Sequence, residues 1–252
     1  MKRIVGAGLA ALGLVGAGPA LALNLCVEGA YPPFSATAAD GSIVGFDIDI
    51  GQALCAEMGE TCTLVKVDWD GMIPALLEKK CDAIVASMSA TEERKQVIGF
   101  SDKYYNVPNR FVAAKDAGLT DSAEGMAGKL VGVQRGTIHQ AFMEAKYPEA
   151  ELRLYGTHDE MVLDLQAGRI DALMSDQLAE EAFLATPEGA GFAFFGENHN
   201  DPAIHGTGAS IGVRKEDTEL RDRMSKAIAA IRASGKYDEI QKTYFSFDVY
   251  GG

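Results

Sequence analysis

A two-lobed α/β fold, with parallel-rich sheets flanked by helices, follows from three features of the 252-residue sequence. Short apolar runs alternate with longer segments of helical period, the pattern of parallel sheets covered on both faces. Two segments look like one unit used twice: Lys80-Cys81-Asp82-Ala83-Ile84-Val85 and Gly168-Arg169-Ile170-Asp171-Ala172-Leu173. The length allows two domains of roughly 100–130 residues, each large enough to bury its own core.

The first twenty-two residues read as an address. Lys2 and Arg3 precede an apolar run from Ile4 to Ala17, Gly18-Pro19 breaks it, and Ala20-Leu21-Ala22 has the small-x-small pattern of signal-peptidase cleavage. A membrane-spanning helix is the competing reading, and the five glycines and one proline of this stretch disfavour it. A lipid anchor at Cys26 is disfavoured by Leu25, where a small residue is needed. The chain is expected to be exported, with no second span.

The elements follow in order. Leu25-Cys26-Val27 is a strand, and Tyr31-Pro32-Pro33-Phe34 and Asp40-Gly41 mark a loop and a turn. Phe46, Ile50, Leu54 and Met58 recur every four residues on one helix face. Thr63 to Val67 is a strand, Met72 opens a helix that tolerates Pro74 in its first turn, and Asp82 to Ala86 is a buried strand. Phe111–Ala114, Leu130–Gln134, Leu152–Tyr155, Ile170–Met174 and Phe192–Phe195 read as strands with helical stretches between several of them. Polar groups follow both duplicated strands, Ser87 and Ser89 in one and Ser175 and Asp176 in the other. Ligands gather beyond the carboxyl ends of such strands, so two facing edges would form a cleft.

The chain is 47% hydrophobic, which excludes wholesale disorder, and carries a net charge of −13. Losing Lys2 and Arg3 with the leader takes that charge to −15. No basic excess exists to displace counterions from nucleic acid or to engage anionic lipid. Small molecules or proteins are the expected partners. In an exported chain the four cysteines invite disulfides. Cys55 and Cys62 flank a helix end capped by Gly59 that turns one back toward the other; a disulfide is preferred over a metal pair. Cys26 and Cys81 either pair across neighbouring strands or stay buried thiols.

Several stretches together resemble the periplasmic amino-acid-binding proteins of ABC importers (solute-binding protein family 3), especially the lysine/arginine/ornithine- and histidine-binding branch. They are Glu28-Gly-Ala-Tyr31-Pro-Pro-Phe34, Gly45-Phe-Asp-Ile-Asp-Ile50, Trp69-Asp-Gly-Met-Ile-Pro74, Ser87-Met88-Ser89-Ala-Thr-Glu-Glu-Arg94, Gly132-Val-Gln134-Arg-Gly-Thr137, Gly168-Arg-Ile-Asp-Ala172 with Asp176, and Gly235-Lys-Tyr237 through Lys242-Thr-Tyr-Phe245. Cys55 and Cys62 match that branch's disulfide. The resemblance implies a type II periplasmic-binding-protein fold: signal peptide 1–22, lobe one from 23–106 and 207–252, lobe two from 107–206. Hinge strands are expected near Asn106-Val107-Pro108 and Gly206-Thr207-Gly208, and lobe closure around a ligand. It further implies a periplasmic monomer that binds a cationic amino acid, hands it to the importer's membrane permease, needs no cofactor or metal and is not an enzyme.

The physics of such a site can be argued from the residues. Arg94 offers a planar fork that matches a carboxylate, where the plainer reading is a solvated helix residue. Ser89-Ala90-Thr91-Glu92 has capping-box spacing, which places a helix start at Ser89 and Arg94 near its free N–H groups. Gly136-Thr137 offers a second helix start from the other lobe. Asp176 is the acceptor for the ligand's ammonium, or else only the N-cap of a helix over Gln177–Leu184. Ser87 and Ser89 add neutral oxygens. Glu28 reaches the distal end of the ligand, or is a solvated loop carboxylate. Arg94 and Asp176 offset the ligand's own termini, so Glu28 remains unbalanced, and a desolvated unpaired carboxylate costs several kcal/mol. A cationic side chain removes that cost. Lysine, arginine or ornithine is therefore preferred, with histidine possible. Tyr31 and Trp69 clamp the stem or guanidinium, or pack as core. The expected lining is completed by Ala86, Met88, Gln134, Thr137 and Ile138.

Ala86 departs from a common serine and Ile138 from a common threonine. Trp69, Ala86 and Glu28 also resemble branches that bind opines of the octopine or nopaline type. A cyclohexadienyl dehydratase on the same fold is the enzymatic alternative, and a detached sensory domain is another. His139, His158, His199 and His205 are scattered, with no nucleophile beside them, and read as surface or packing residues.

Overall fold

The computed structural model describes residues 22–251, so the expected leader lies outside them apart from Ala22, the first residue of β1 (Ala22–Val27). Side chains along β1 alternate faces: Leu25 and Val27 enter one core and Cys26 the other. A small antiparallel meander follows, β2 (Ala30–Tyr31), β3 (Ser35–Thr37) and β4 (Ile43–Val44). Helix α1 (Phe46–Glu57) buries Phe46, Ile50 and Leu54 as their spacing requires, and Gly59 ends the turn at φ +73°. Then come β5 (Thr61–Lys66), α2 (Met72–Leu77), β6 (Ala83–Ile84), α3 (Glu92–Lys95) and β7 (Gly99–Tyr105). The middle of the chain supplies β8 (Asn109–Ala114), α4 (Ala123–Met126), β9 (Leu130–Gln134), α5 (Ile138–Lys146), β10 (Glu151–Tyr155) and α6 (His158–Gln166). It continues through β11 (Ala172–Asp176), α7 (Gln177–Leu184) and β12 (Phe192–His199). The remainder is α8 (Pro202–His205), β13 (Ala209–Val213), α9 (Thr218–Ala233) and α10 (Lys236–Tyr244).

Two five-stranded sheets result, β5-β1-β6-β13-β7 and β10-β9-β11-β8-β12. They share one plan. β5-β1-β6 and β10-β9-β11 are parallel, as expected, whereas β13 and β8 join antiparallel, followed by β7 and β12. The antiparallel half comes from the strands that enter each sheet just after the chain crosses between sheets, through 106–108 and 200–208. The duplicated Asp-Ala motif has a structural reason. Asp82 Oδ2 accepts the Asn24 N–H at 2.9 Å, and Asp171 Oδ2 accepts the Leu130 N–H at 2.8 Å. In both sheets this carboxylate pairs a backbone donor near the start of the adjoining parallel strand. β7 and β13 were not expected: Gly99–Tyr105 is too polar for an apolar run, and in Ala209–Val213 Ser210 and Gly212 interrupt the apolar residues, though all five are buried.

Both cysteine pairs are disulfides, Cys55–Cys62 with Cα atoms 6.0 Å apart and Cys26–Cys81 at 5.7 Å. The second pairing, left open by the sequence, follows from β1 and β6 being neighbours. Helices α1, α9 and α10 cover one face of the first sheet around Phe34, Phe46, Tyr104 and Tyr237. α2 covers the other face, with Met72, Leu76 and Ile84. Fully buried side chains of this size contribute about 1.5–3 kcal/mol each. Among the described residues no helix is long and apolar enough to cross a membrane.

Candidate functional site

The carboxyl ends of β1, β5, β6, β9 and β11 converge on one cavity of about 340 Å³, its mouth included. It is lined by Glu28, Tyr31, Trp69, Ala86, Ser87, Ser89, Arg94, Gln134, Thr137, Ile138 and Asp176, and by His139. Of the expected lining only Met88 stays outside. The left-handed turn at Ser87 sends the Met88 side chain away from the cavity, into the core with Met72, Leu76 and Ile98.

Glu28 directly follows β1 and is 5% exposed. Its Oε1 accepts from Gln134 Nε2, at the end of β9, at 2.6 Å. Burial pushes its carboxyl up to about 7, opposed by the Gln134 bond and the nearby His158. Gln134 spends its second amide hydrogen on the Gly156 carbonyl at 3.1 Å, leaving its own oxygen as an acceptor.

Asp176 is positioned as the N-cap of α7, yet its side chain accepts no capping bond. It turns to the cavity instead, where Tyr31 Oη donates to Oδ2 at 2.9 Å and also meets Ser175 Oγ at 2.9 Å. His139 Nε2 lies 3.5 Å from the other carboxylate oxygen and 2.7 Å from Asn109 Oδ1.

Arg94 is where the structure corrects the sequence. The helix starts two residues later than expected, with Thr91 as cap accepting the Arg94 N–H at 3.2 Å. Ser89 is unavailable because its backbone pairs with Ala209, with Ser210 N–H donating to the Met88 carbonyl at 3.0 Å. Arg94 Nη1 donates back to the Ser89 carbonyl and Nη2 across the cleft to the Gly136 carbonyl, both at 3.0 Å. The guanidinium stacks 5.2 Å from the Trp69 ring centre. Burial lowers its pKa to about 10, which leaves it charged at neutral pH. Thr137 caps α5, as the second helix start requires.

Sequence reasoning missed His139. Nothing in its neighbourhood distinguishes it from a surface residue, because its partners Asn109 and Asp176 are remote in sequence. The other histidines also have acidic partners or burial rather than free surface. His158 Nε2 meets Glu180 at 2.6 Å, His199 meets Asp121 at 3.1 Å, and His205 is 3% exposed. Among the described residues no cluster could hold a metal ion.

Two carboxylates, Glu28 and Asp176, and one guanidinium, Arg94, thus line one cavity together with Thr137 at the start of α5. Residues 23–247 match the family model of bacterial extracellular solute-binding proteins, family 3. The chain is 46% identical over 232 residues to the L-arginine-binding protein of Pseudomonas aeruginosa, covering 91% of this chain and 90% of that one. It is 41% identical over 224 residues to the lysine/arginine/ornithine-binding periplasmic protein of Escherichia coli, covering 88% and 86%. A solved structure of a Salmonella typhimurium periplasmic binding protein, described for its high arginine specificity, superposes with a TM-score of 0.84 at 31% identity, covering 90% of this chain and all of that one. The two-sheet fold and its cleft, together with these likenesses across nearly the whole chain, make this protein a member of the family 3 bacterial extracellular solute-binding proteins.

Proposed function

We propose that the chain captures a cationic L-amino acid, arginine, lysine or ornithine before histidine, by closing two lobes on it in the periplasm and delivering it to the permease of an ABC importer. One observation carries the reading: Glu28, Asp176 and Arg94 line the same cavity. An amino acid's carboxylate meets Arg94 and its ammonium meets Asp176, which leaves Glu28 to be neutralised by a cationic side chain. Gln134 adds an acceptor beside it, suited to a guanidinium with several N–H donors.

The proposed lobes are 23–106 with 207–252 and 107–206, hinged at Asn106–Pro108 and Gly206–Gly208. Strand membership supports this division, and so do bonds that span the cleft, Tyr31 to Asp176, Gln134 to Glu28 and Arg94 to Gly136. Cleavage of the leader after Ala22, a monomeric state and a binding rather than catalytic role belong to the same reading. The opine alternative is favoured by one feature: Ala86 lines the cavity where a larger side chain would fill it.

A thermal-shift screen of the protein against all amino acids and several opines tests this, since a ligand that binds only the folded state raises the melting temperature by mass action. Arginine, lysine or ornithine should give the largest shifts, and micromolar affinity corresponds to about −8 kcal/mol. Larger shifts with neutral or acidic amino acids would overturn the charge argument.

A further inference from the structure

Asp47 stands in the first turn of α1, outside the cavity lining, and is fully buried. A carboxylate in that position needs donors, and it has two. Tyr104 Oη donates to Oδ1 at 2.8 Å and Ser87 Oγ donates to Oδ2 at 2.8 Å. Tyr104 Oη in turn accepts the Ser87 N–H at 2.9 Å. The three residues close a ring of hydrogen bonds, and Ser87 is held within it at φ +55°, a left-handed conformation that a serine adopts only under constraint.

The ring uses both of Ser87's donors. Its N–H goes to Tyr104 and its O–H to Asp47, so this cavity-lining residue has only oxygen lone pairs left for a ligand. Lone pairs serve an ammonium and repel a carboxylate. We propose that Asp47 is a positioning residue that, through Ser87, makes this wall an acceptor for the ligand's α-ammonium and so fixes which end of the amino acid lies beside Asp176. The proposal rests on the amino-acid reading above. Its energetic source is the charge on Asp47, because a hydroxyl that donates to a carboxylate becomes a better acceptor through its own oxygen. Burial raises the Asp47 carboxyl to about 7 against the pull of the two hydroxyls, so the charge is present above that pH and the test is run at pH 8.

Asp47→Asn tests the proposal. An asparagine replaces one of the two acceptor oxygens by an NH₂ donor, so only one hydroxyl keeps its own acceptor, and with the NH₂ facing Ser87 the serine hydrogen is released toward the cavity. Calorimetry would compare L-arginine with 5-guanidinopentanoate, the same molecule without its α-amino group, on the native protein, D47N, S87A and the double variant. D47N and S87A should each lose about tenfold or more in arginine affinity and change less than about twofold toward the deaminated analogue. The double variant should be no weaker than the worse single one. Equal losses for the two ligands would mean a merely structural role and overturn the proposal, as would single losses that multiply. If D47N does not fold, Tyr104→Phe opens the same ring by one oxygen and is held to the same split between ligands. A native protein that binds neither ligand would overturn the amino-acid reading itself, whereas native binding with no split overturns only the role of Asp47.

Discussion

Glu28→Gln is expected to act in opposite directions on stability and on binding. The wild-type carboxyl is 5% exposed, and burial raises it from an ordinary 4.5 to about 7. An acid whose folded-state pKa is raised holds its proton more tightly when folded. Its cost to folding is therefore absent below pH 4.5, grows between 4.5 and 7, and is complete above 7. At about 1.4 kcal/mol per pH unit, that interval amounts to roughly 3 kcal/mol. Glutamine keeps an oxygen for Gln134 Nε2 while removing the charge. Without ligand, E28Q should melt on the order of 5–10 °C higher than the native protein at pH 8 and at the same temperature near pH 4.5. Arginine affinity at pH 8 should fall by roughly 30-fold, about 2 kcal/mol, because the ligand's cation loses its counter-charge. Glutamine affinity should hardly change. The arginine deficit should shrink below pH 7, where native Glu28 is itself protonated. Differential scanning calorimetry and titration calorimetry at the two pH values supply the measurements. A melting difference that ignores pH would refute the burial argument, and equal losses for arginine and glutamine would refute the charge argument.

Other expectations are independent of that one. Arg94→Ala should cost at least about 2 kcal/mol of arginine affinity by leaving the ligand carboxylate unpaired in a desolvated cleft, and unchanged calorimetric affinity would remove its role. Replacing Cys26 and Cys81 by alanine should destabilise by up to about 4 kcal/mol, against about 2 for Cys55 and Cys62; the loops closed span 55 and 7 residues, and urea titrations would show a reversed order if loop entropy were not the source. His158 is pushed down by burial, but the charge of Glu180 and its hydrogen bond outweigh this and leave it raised. The stability it provides is present below its unfolded pKa near 6.5 and fades as pH climbs through the higher folded value. Glu180→Gln should therefore destabilise more at pH 6 than at pH 9, and a deficit independent of pH would show that the imidazole is not charged.

What was legible in the sequence was what local chemistry decides. Phe46, Ile50 and Leu54 lie on one helix face in the pattern and in the fold, and Gly59 ends that helix in both. Glu28 and Asp176 were readable because they lie at the carboxyl ends of β1 and β11, where this architecture gathers its polar groups, and Arg94 because it closes the Ser87–Arg94 motif at the start of a helix. Ser89 shows where local signals lose. Its spacing to Glu92 is that of a cap, but backbone pairing with Ala209, a contact between distant segments, wins and hands the cap to Thr91. The same limit hid β13, whose residues matter only once the chain has returned, and His139, whose partners lie on β8 and β11. Asp47 was within a quoted motif yet had no visible role, since Ser87 and Tyr104 come 40 and 57 residues later.

The order β5-β1-β6-β13-β7 has a consequence for how the molecule is made. The second sheet is drawn from one unbroken stretch, 109–199, and holds everything it needs as soon as that stretch is free. The first is not so placed. β7 touches the rest of its sheet only through β13, some hundred residues downstream, so a chain emerging amino-terminus first can zip β5, β1 and β6 together but must keep a place beside β6 open. Until Ala209–Val213 slides in, the residues of the binding cleft on that side have no finished platform. The half of the protein that begins first is thus the half completed last, and chaperone dependence should be concentrated there.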